Sequence, residues 1–439
     1  MINLFEKLDK KTIKLLNTLR NVGMNHQTIL LEDNGFLPEN TQSPYSFFSK
    51  CELLNVNPLF FNEVPVPDLW EIEGNNSIAR IRDKGRVRGK IKFKKNWGTR
   101  IVEHVEWLNE KGQTQYIDYY NKYGYKFAQL LLDDNGKYIV KKYYNDKGKI
   151  IISENFVTNS YILTWRDKEY FFNSKLRFLE FYLEQSKIKL DSFLINSLAF
   201  PYALLRHVKN IEGKDYLFWQ ESPEELPGNM KYLLNNGNRT ANILIPNSNE
   251  YNRIYNWLDD NEKNYLFKVG YVYDFIKQNS YSNEILTLTN SDDIPNIEQI
   301  VSKNPHLHFN IVAVTEMSKK LMSLGVYKNV SLYPHVRRSK VTELYKQCDI
   351  YLDINHGSEI LDSVHAAFDY NLLILGYNET CHNNDVVDLN NLFKIENYEK
   401  LIEILASLPN KIILDNLLDN QLVHGRSISK DEFKSFFSK

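Results

Sequence analysis

The spacing of apolar residues changes character along the chain of 439 residues. Near the start they recur at helical spacing, which predicts an amphipathic helix carrying Phe5, Leu8, Leu15, Leu16 and Leu19. Residues 28–31 (TILL) then predict a strand, followed by a turn at 33–35 (DNG). This strand–helix pattern breaks off, because the composition becomes β-rich from about Ser43 to about Asn173.

Four glycines punctuate the β-rich segment at intervals of 12 residues: Gly112, Gly124, Gly136 and Gly148. Each closes an Asn/Asp-x-x-Gly turn, and apolar and tyrosine-rich runs lie between the turns. Glycine can adopt the positive φ that a tight hairpin needs. The pattern therefore predicts an antiparallel meander.

The Tyr-rich face of this meander must be covered by something. Two interpretations have equal weight: packing on the protein's own body or on the helix predicted near 175–184, and binding of a protein partner. We also expect the meander to be a modular insertion whose removal, for example over 58–153, takes away no core strand.

After Asn173 strands alternate with helices, which implies α/β units with parallel, doubly wound sheets. Strands are predicted at 216–219, 242–245, 285–288, 309–314, 330–333, 350–354 and 372–375. Ligands of such folds bind at the carboxyl ends of the strands, here between the two units. We expect a first unit in two parts (1–44 and 173–272), the inserted β-sheet domain (45–172), a second unit (273–420) and a C-terminal helix (421–439).

Composition adds few constraints on function. The net charge is −1, and the 43% hydrophobic and 25% charged residues are ordinary for a folded protein. Three scattered cysteines (Cys51, Cys348, Cys381) fit a reducing cytoplasm and indicate no metal site. The first residues have no signal-peptide pattern and no apolar run has the length of a membrane span, so we expect a cytoplasmic protein whose membrane contact, if any, is peripheral. No cofactor is expected.

One local charge pattern stands out against this balance. Every even position from 80 to 94 is basic, which we call the basic stripe: Arg80, Arg82, Lys84, Arg86, Arg88, Lys90, Lys92 and Lys94. A period of two places these charges on one face of a strand or bent hairpin, where they repel one another. We favour a face for an acidic partner or lipid headgroups over a solvated sheet edge, and we do not expect nucleic acid, since no aromatic residues interleave on that face.

Residues 349–376 (DIYLDINHGSEILDSVHAAFDYNLLILG) resemble the donor-binding half of a GT-B glycosyltransferase. Retaining enzymes of that class carry two glutamates eight residues apart on the corresponding turn and helix. Those positions fall on Ser358 and Ala366, or on Glu359 and Ala367 if the alignment shifts by one. At most one acid therefore remains.

The resemblance also implies an Arg and a Lys after the first strand of the second unit, where they would hold the donor diphosphate. Residues 286–302 contain no Lys or Arg but include Asp292, Asp293 and Glu298. A diphosphate would meet net negative charge there, unless distant cations substitute; the candidates are Arg337, Arg338 and Lys340. The missing Arg and Lys and the missing glutamate together argue against turnover of a sugar-nucleotide donor. No catalytic residue is assigned.

Candidate binding residues lie where predicted strands end. The histidines at 335, 356 and 365, even with Asp349 and Asp353 nearby, lack metal-ligand spacing. His365 is expected in the core or supporting a residue of the site from behind, and His356 is expected in the cleft. Trp219, with polar neighbours, suits a sugar face, although packing of its ring is an alternative. The candidate acceptor- or sugar-binding residues are Trp219, Gln220, Glu221, Asn229, Asn355, His356, Ser358 and Glu359.

Nearly the whole chain resembles one family, the glycosyltransferase-stabilising, substrate-binding subunit of the accessory Sec system in Gram-positive bacteria. The resemblance rests on five segments and on the inserted meander: 2–5 (INLF), 33–38 (DNGFLP), 43–45 (SPY), 217–221 (LFWQE) and 226–230 (LPGNM). It implies a GT-B-like fold and a partner role: binding a serine-rich repeat adhesin, and stabilising and activating a sister subunit that transfers N-acetylglucosamine from its UDP derivative before export. It further implies that the meanders of the two subunits meet. The alternative is a catalytically active retaining O-glycosyltransferase that uses a UDP-sugar.

Overall fold

The computed structural model describes residues 1–50, 57–75, 78–95, 97 and 100–438. The chain divides into two compact units, Met1–Leu16 with Asn25–Lys268 and Asn17–Met24 with Val269–Lys439. Cys51 lies outside the described residues, whereas Cys348 and Cys381 are free thiols.

The strands, in chain order, are β1 (Ile2–Phe5), β2 (Thr28–Leu30), β3 (Thr41–Gln42), β4 (Glu71–Gly74), β5 (Ala79–Asp83), β6 (Arg86–Phe93), β7 (Val102–Leu108), β8 (Thr114–Tyr120), β9 (Lys126–Leu132), β10 (Tyr138–Tyr144), β11 (Ile150–Asn155), β12 (Ser160–Trp165), β13 (Lys168–Phe172), β14 (Phe193–Ile195), β15 (Gly213–Phe218), β16 (Arg239–Ile245), β17 (Leu266–Lys268), β18 (Glu284–Leu288), β19 (His308–Val312), β20 (Val330–Tyr333), β21 (Ile350–Asp353), β22 (Leu373–Tyr377) and β23 (Leu392–Phe393). The α-helices are α1 (Lys10–Asn21), α2 (Pro44–Ser49), α3 (Lys175–Ser186), α4 (Phe200–His207), α5 (Gly228–Leu234), α6 (Ser248–Trp257), α7 (Ile297–Lys303), α8 (Lys319–Met322), α9 (Arg338–Gln347), α10 (Ser363–Asp369), α11 (Tyr398–Ser407), α12 (Lys411–His424) and α13 (Lys430–Ser438).

Each unit is built on a parallel sheet. In the first unit the order is β17-β16-β15-β14-β1-β2-β3, and in the second it is β20-β19-β18-β21-β22-β23. All strand pairs within these two sheets are parallel. Apolar runs such as Leu373–Tyr377 are buried at every position, because helices cover both faces of a parallel sheet. The predicted α/β class with two doubly wound units is confirmed.

The first unit also contains an antiparallel sheet of ten consecutive strands, β4 to β13, among the described residues. Gly112, Gly124, Gly136 and Gly148 close four of its hairpins with φ between 72° and 82°. Residues with a Cβ adopt this conformation at a steric penalty, so the glycine spacing explains the hairpins. The predicted meander is confirmed.

The two ends of this sheet are covered differently. Strands β9 to β12 share one hydrophobic core with the parallel sheet of the first unit; Ala128, Ile152 and Tyr161 belong to the same buried cluster as Leu4. The ring of Tyr161 stacks on Phe178 of α3, with centroids 5.1 Å apart. Packing on the protein's own body is thus confirmed for this end. Deletion of 58–153 would remove no strand of the parallel sheet, but it would remove buried side chains of the shared core, such as Ala128 and Ile152.

Strands β5 to β7 instead form a second buried cluster, which contains Ala79, Ile81, Ile91, Val102 and Val105. The segment that precedes β4 supplies partly buried apolar side chains to this cluster. This end of the sheet therefore has a core of its own, separate from the core of the parallel sheet.

Two predicted helices differ from the structure. Phe5, which the helical spacing assigned to the first helix, lies in β1 and is fully buried beside β2. The mostly apolar sequence of β1 (INLF) suits a central strand of a parallel sheet, which is buried on both faces. The single helix expected over 421–439 is replaced by the end of α12 and by α13, which are separated at Gly425 and the residues after it.

Candidate functional site

A polar cavity of about 320 Å³ lies in the second unit, at the carboxyl ends of β18 and β19. It is lined by Thr289, Asn290, Ser291, Asp292, Ala313, Thr315, Glu316, Ser318 and Leu321. No lysine or arginine is among these described lining residues. Hydroxyl and amide groups can bind a neutral polar ligand, whereas the two carboxylates oppose the binding of a phosphate.

The cations considered as substitutes do not line this cavity. Lys340 instead forms an ion pair with Glu343 of the same helix, with Nζ 2.7 Å from Oε1. The segment just before α9 does approach the cavity, since the backbone of His335 donates to the carbonyl of Thr315 at 3.1 Å. Its imidazole lies 3.7 Å from the Glu316 carboxylate.

The turn after β21, residues 355–358, lies beside the same cavity. Asn355 is buried, and the backbone N–H of His356 donates to the carbonyl of Asp293 at 2.9 Å. At Gly357 an added Cβ would lie 2.4 Å from Oδ1 of Asn290, which lines the cavity. Only glycine permits this close approach. Ser358, the last residue of the turn, is exposed.

Glu359 has a structural role in this arrangement. Its carboxylate accepts a hydrogen bond of 2.9 Å from the backbone N–H of Val364, in the first turn of α10. Burial raises the pKa of Glu359 above its ordinary value. Ala367, eight residues further on, is fully buried. The one acid that the alignment could preserve therefore caps a helix, and its counterpart position lies in the core.

The sequence analysis missed His382, which forms a compact cluster with Asp353 behind this turn. The backbone N–H of His382 donates to Asp353 Oδ2 at 2.8 Å, and its Nδ1 contacts Oδ1. Its Nε2 lies 3.0 Å from the carbonyl oxygen of Gly357. Asp353 is fully buried. Asp353 could be recognised in the sequence as an acidic residue at the end of a predicted strand. No local pattern connects it to His382, which is 29 residues away along the chain.

Asp349 is also structural. It precedes β21 at the amino end, and its carboxylate accepts hydrogen bonds from Lys277, Ser280 and the backbone of Ser282. Burial alone would raise the pKa of Asp349, but the hydrogen bonds from Lys277 and Ser280 outweigh it and lower the pKa below its ordinary value.

His365 lies near the surface of α10 with its side chain 41% exposed, so its expected core position is wrong.

In the first unit most of the candidate residues lie in the core or form hydrogen bonds with neighbouring segments. Trp219 is only 2% exposed and belongs to the hydrophobic core, which favours the packing interpretation. Gln220 and Lys11 exchange hydrogen bonds through each other's backbone carbonyls, at 2.6 and 3.2 Å. Asn229 donates to the carbonyl of Leu198 at 3.0 Å, and Glu221 is exposed.

The basic stripe follows β5 and β6 but is interrupted. Arg80 and Lys90 face each other across the two strands, Lys84 lies in the turn, and the register shifts between Ile81 and Arg82. Four of its members form ion pairs within the sheet: Arg82 with Glu73, Arg88 with Asp83, Lys92 with Glu106, and Lys94 with Glu103. Among the described residues, no carboxylate lies within 4.0 Å of the other four, which are exposed: Arg80, Lys84, Arg86 and Lys90.

Four family models match successive parts of the chain: the GtfB N-terminal domain (2–48), the GtfB middle domain (70–173), the GtfB third domain (175–257) and the GftB/GlyA-F C-terminal domain (285–421). A curated relative from Streptococcus agalactiae, named UDP-N-acetylglucosamine–peptide N-acetylglucosaminyltransferase stabilizing protein GtfB, is 38% identical over 99% of this chain and 98% of its own length. The chain belongs to the GtfB family. A relative of the same name from Limosilactobacillus reuteri is 34% identical over 99% of this chain and 98% of its own length.

Solved structures agree with the GtfB family and with its fold. A chain in the crystal structure of a GtfA/B complex bound to UDP and GlcNAc matches with a TM-score of 0.92 and 35% identity, covering 100% of this chain and 99% of that one. TarM from S. aureus matches with a TM-score of 0.53 and 12% identity, over 100% of this chain and 99% of that one, which shows a shared GT-B-like fold alone. Among the helices of the described residues, none combines the length and the apolar composition that a membrane span needs.

Proposed function

We propose that this chain is the non-catalytic subunit of a protein O-GlcNAc transferase complex. In this role it stabilises and activates a catalytic glycosyltransferase subunit and binds the acceptor, a serine-rich repeat adhesin. The modification takes place in the cytoplasm, before export by the accessory Sec system. The names of the GtfB relatives and the complex in which a similar chain was solved support the partner role.

The observation that carries the non-catalytic part is the polar cavity of the second unit. A UDP-sugar brings a diphosphate, which binds where cations and N–H donors compensate its charge. The cavity presents Asp292 and Glu316 and has no cation among its described lining residues. Its hydroxyl and amide groups suit a Ser/Thr-rich acceptor, with or without attached sugar.

Calorimetry tests this reasoning. The isolated chain should show no heat of binding with UDP-N-acetylglucosamine, whereas the complex with a catalytic subunit should bind the nucleotide sugar and modify a Ser/Thr-rich peptide. Micromolar affinity of the isolated chain for the UDP-sugar would contradict the proposal and restore the alternative, an active retaining transferase.

The four exposed members of the basic stripe are proposed to face an acidic surface, either of a protein partner or of anionic lipid. Arg86→Glu with Lys90→Glu should weaken association, most at low salt, because screening acts over about 10 Å at 0.1 M ionic strength. Lys137→Glu with Lys147→Glu is the matched control, since both lysines are exposed in other hairpins of the same sheet. Co-purification with the catalytic subunit and flotation with anionic vesicles distinguish the two surfaces. If both double variants changed association equally, the basic stripe would be a solvated sheet edge with no specific partner.

A further inference from the structure

The imidazole of His382 lies between two hydrogen-bond acceptors. Nδ1 faces the carboxylate of Asp353, and Nε2 faces the carbonyl oxygen of Gly357 at 3.0 Å. A neutral imidazole has a single N–H, so one of these contacts would bring two lone pairs together. Beside the carboxylate form of Asp353, both contacts are favourable only when the ring carries two protons. The geometry therefore favours an imidazolium paired with this carboxylate.

The charges around the ring support this state. Asp353 is fully buried on β21, and Glu359, before α10, adds a second carboxylate. The hydrogen bond with Asp353 raises the pKa of His382 to about 9, although burial acts in the opposite direction. On the same loop as His382, burial raises the pKa of the Cys381 thiol, so that this side chain stays neutral near pH 7.

The carbonyl that His382 binds belongs to the turn beside the cavity. On one side the imidazolium holds Gly357, and on the other side the backbone of His356 donates to Asp293. Gly357 itself approaches Asn290, a lining residue of the cavity. Movement of this turn would therefore change the shape of the cavity wall.

We propose that His382 is a positioning residue, whose imidazolium holds the turn 355–358 against the Asn290 wall in the conformation that binds the acceptor. The proposal rests on the proposed acceptor-binding function. Loss of the second proton removes one of the two hydrogen bonds and releases the turn. The affinity for the acceptor therefore depends on the second ring proton of His382, which the contact with Asp353 stabilises.

The test measures the dissociation constant of the full-length chain for a fluorescent Ser/Thr-rich peptide, unmodified or carrying N-acetylglucosamine, between pH 6 and 10. For the wild type we expect the constant to rise as the pH passes about 9. His382→Gln can donate one hydrogen bond to Gly357 but cannot carry the charge; we expect weaker binding, by about tenfold (1.4 kcal/mol), and no further rise with pH. Asp353→Asn should lower the pKa of His382, measured by NMR, and shift the rise toward neutral pH.

His308→Gln is the matched control, because the Nε2 of His308 also forms a hydrogen bond, with the Ser331 hydroxyl at 2.8 Å, at the amino end of β19 and thus at the end of the strand opposite the cavity. Equal pH profiles for wild type and His382→Gln would overturn the inference, as would a neutral His382 in the NMR titration at pH 7. If His382→Gln fails to fold, the NMR titration and the Asp353→Asn profile decide. Absence of peptide binding by the wild type at every pH, in the chain and in the complex, would instead refute the proposed acceptor function.

Discussion

The carboxyl edges of the two parallel sheets differ in what their side chains contact. In the first unit Trp219 is buried in the core, Gln220 bonds to Lys11, and Asn229 bonds to Leu198. In the second unit the corresponding edge has a cavity of about 320 Å³, with a turn held beside it by His382. The candidate side chains at the first edge thus bond to neighbouring segments of the chain, whereas the second edge leaves room for a ligand.

This difference shows that strand ends locate candidate sites but do not decide which of them bind. Whether a polar side chain can reach a ligand depends on whether a neighbouring loop already satisfies it.

The largest effect should come from Trp219→Ala at the first edge. Removing a large buried aromatic side chain leaves a cavity in the shared core, and we expect a loss of about 3–5 kcal/mol in the free energy of unfolding. Denaturant unfolding measures it. Glu221→Ala, exposed two residues later, should stay within about 0.5 kcal/mol of wild type. Wild-type stability of the Trp219 variant together with lost acceptor binding would instead make this edge a site.

Asp349→Asn should destabilise the second unit at the opposite edge of its sheet. Hydrogen bonds to a buried charge contribute about 1.5–3 kcal/mol each, and the substitution weakens those from Lys277 and Ser280. The lowered pKa of Asp349 means that its contribution is present above the ordinary value of 3.8 and is lost as the pH falls through the folded-state pKa. Thermal melts from pH 7 to 3 should therefore converge for wild type and variant at acid pH. A constant difference would refute the assigned charge.

Thr315→Val tests the cavity of the second unit without altering its volume greatly. The residue is exposed and lines the cavity, so stability should stay near wild type. Loss of one hydrogen bond of about 1 kcal/mol should weaken acceptor peptide binding by about fivefold. Thr342→Val on α9 is the control, since that exposed threonine does not line the cavity. If both variants bind peptide like wild type, the cavity is not the acceptor site.

The smallest effect is expected for Gln220→Ala in the first unit. Its hydrogen bond to Lys11 is exposed, so we expect a loss of stability of about 0.5 kcal/mol. Acceptor affinity should not change, because the side chain is bonded to the first turn of α1. A clear loss of affinity at unchanged stability would show that the two edges are used alike.

Much of the fold followed from local pattern. The strand at 330–333 was predicted with the observed bounds, and the 12-residue glycine spacing located the hairpins. The basic stripe shows where the pattern was insufficient: its period of two was correct for β6, but Glu73 and Glu106, which pair with two of its members, come from flanking strands. Alternation specifies a face, and the neighbours on that face depend on strand order.

The α/β class, the inserted meander, the missing cations in residues 286–302 and the family resemblance could all be recognised from the amino-acid sequence. These are properties of short segments, and backbone preference and side-chain period act over a few residues. Only the three-dimensional structure shows that the meander shares its core with the first unit, that Trp219 is buried and that His382 joins Asp353 to Gly357. Each of these features brings together groups from distant segments of the chain. Burial and hydrogen bonding depend on the distances between atoms in space, and the separation of two residues along the chain does not specify that distance.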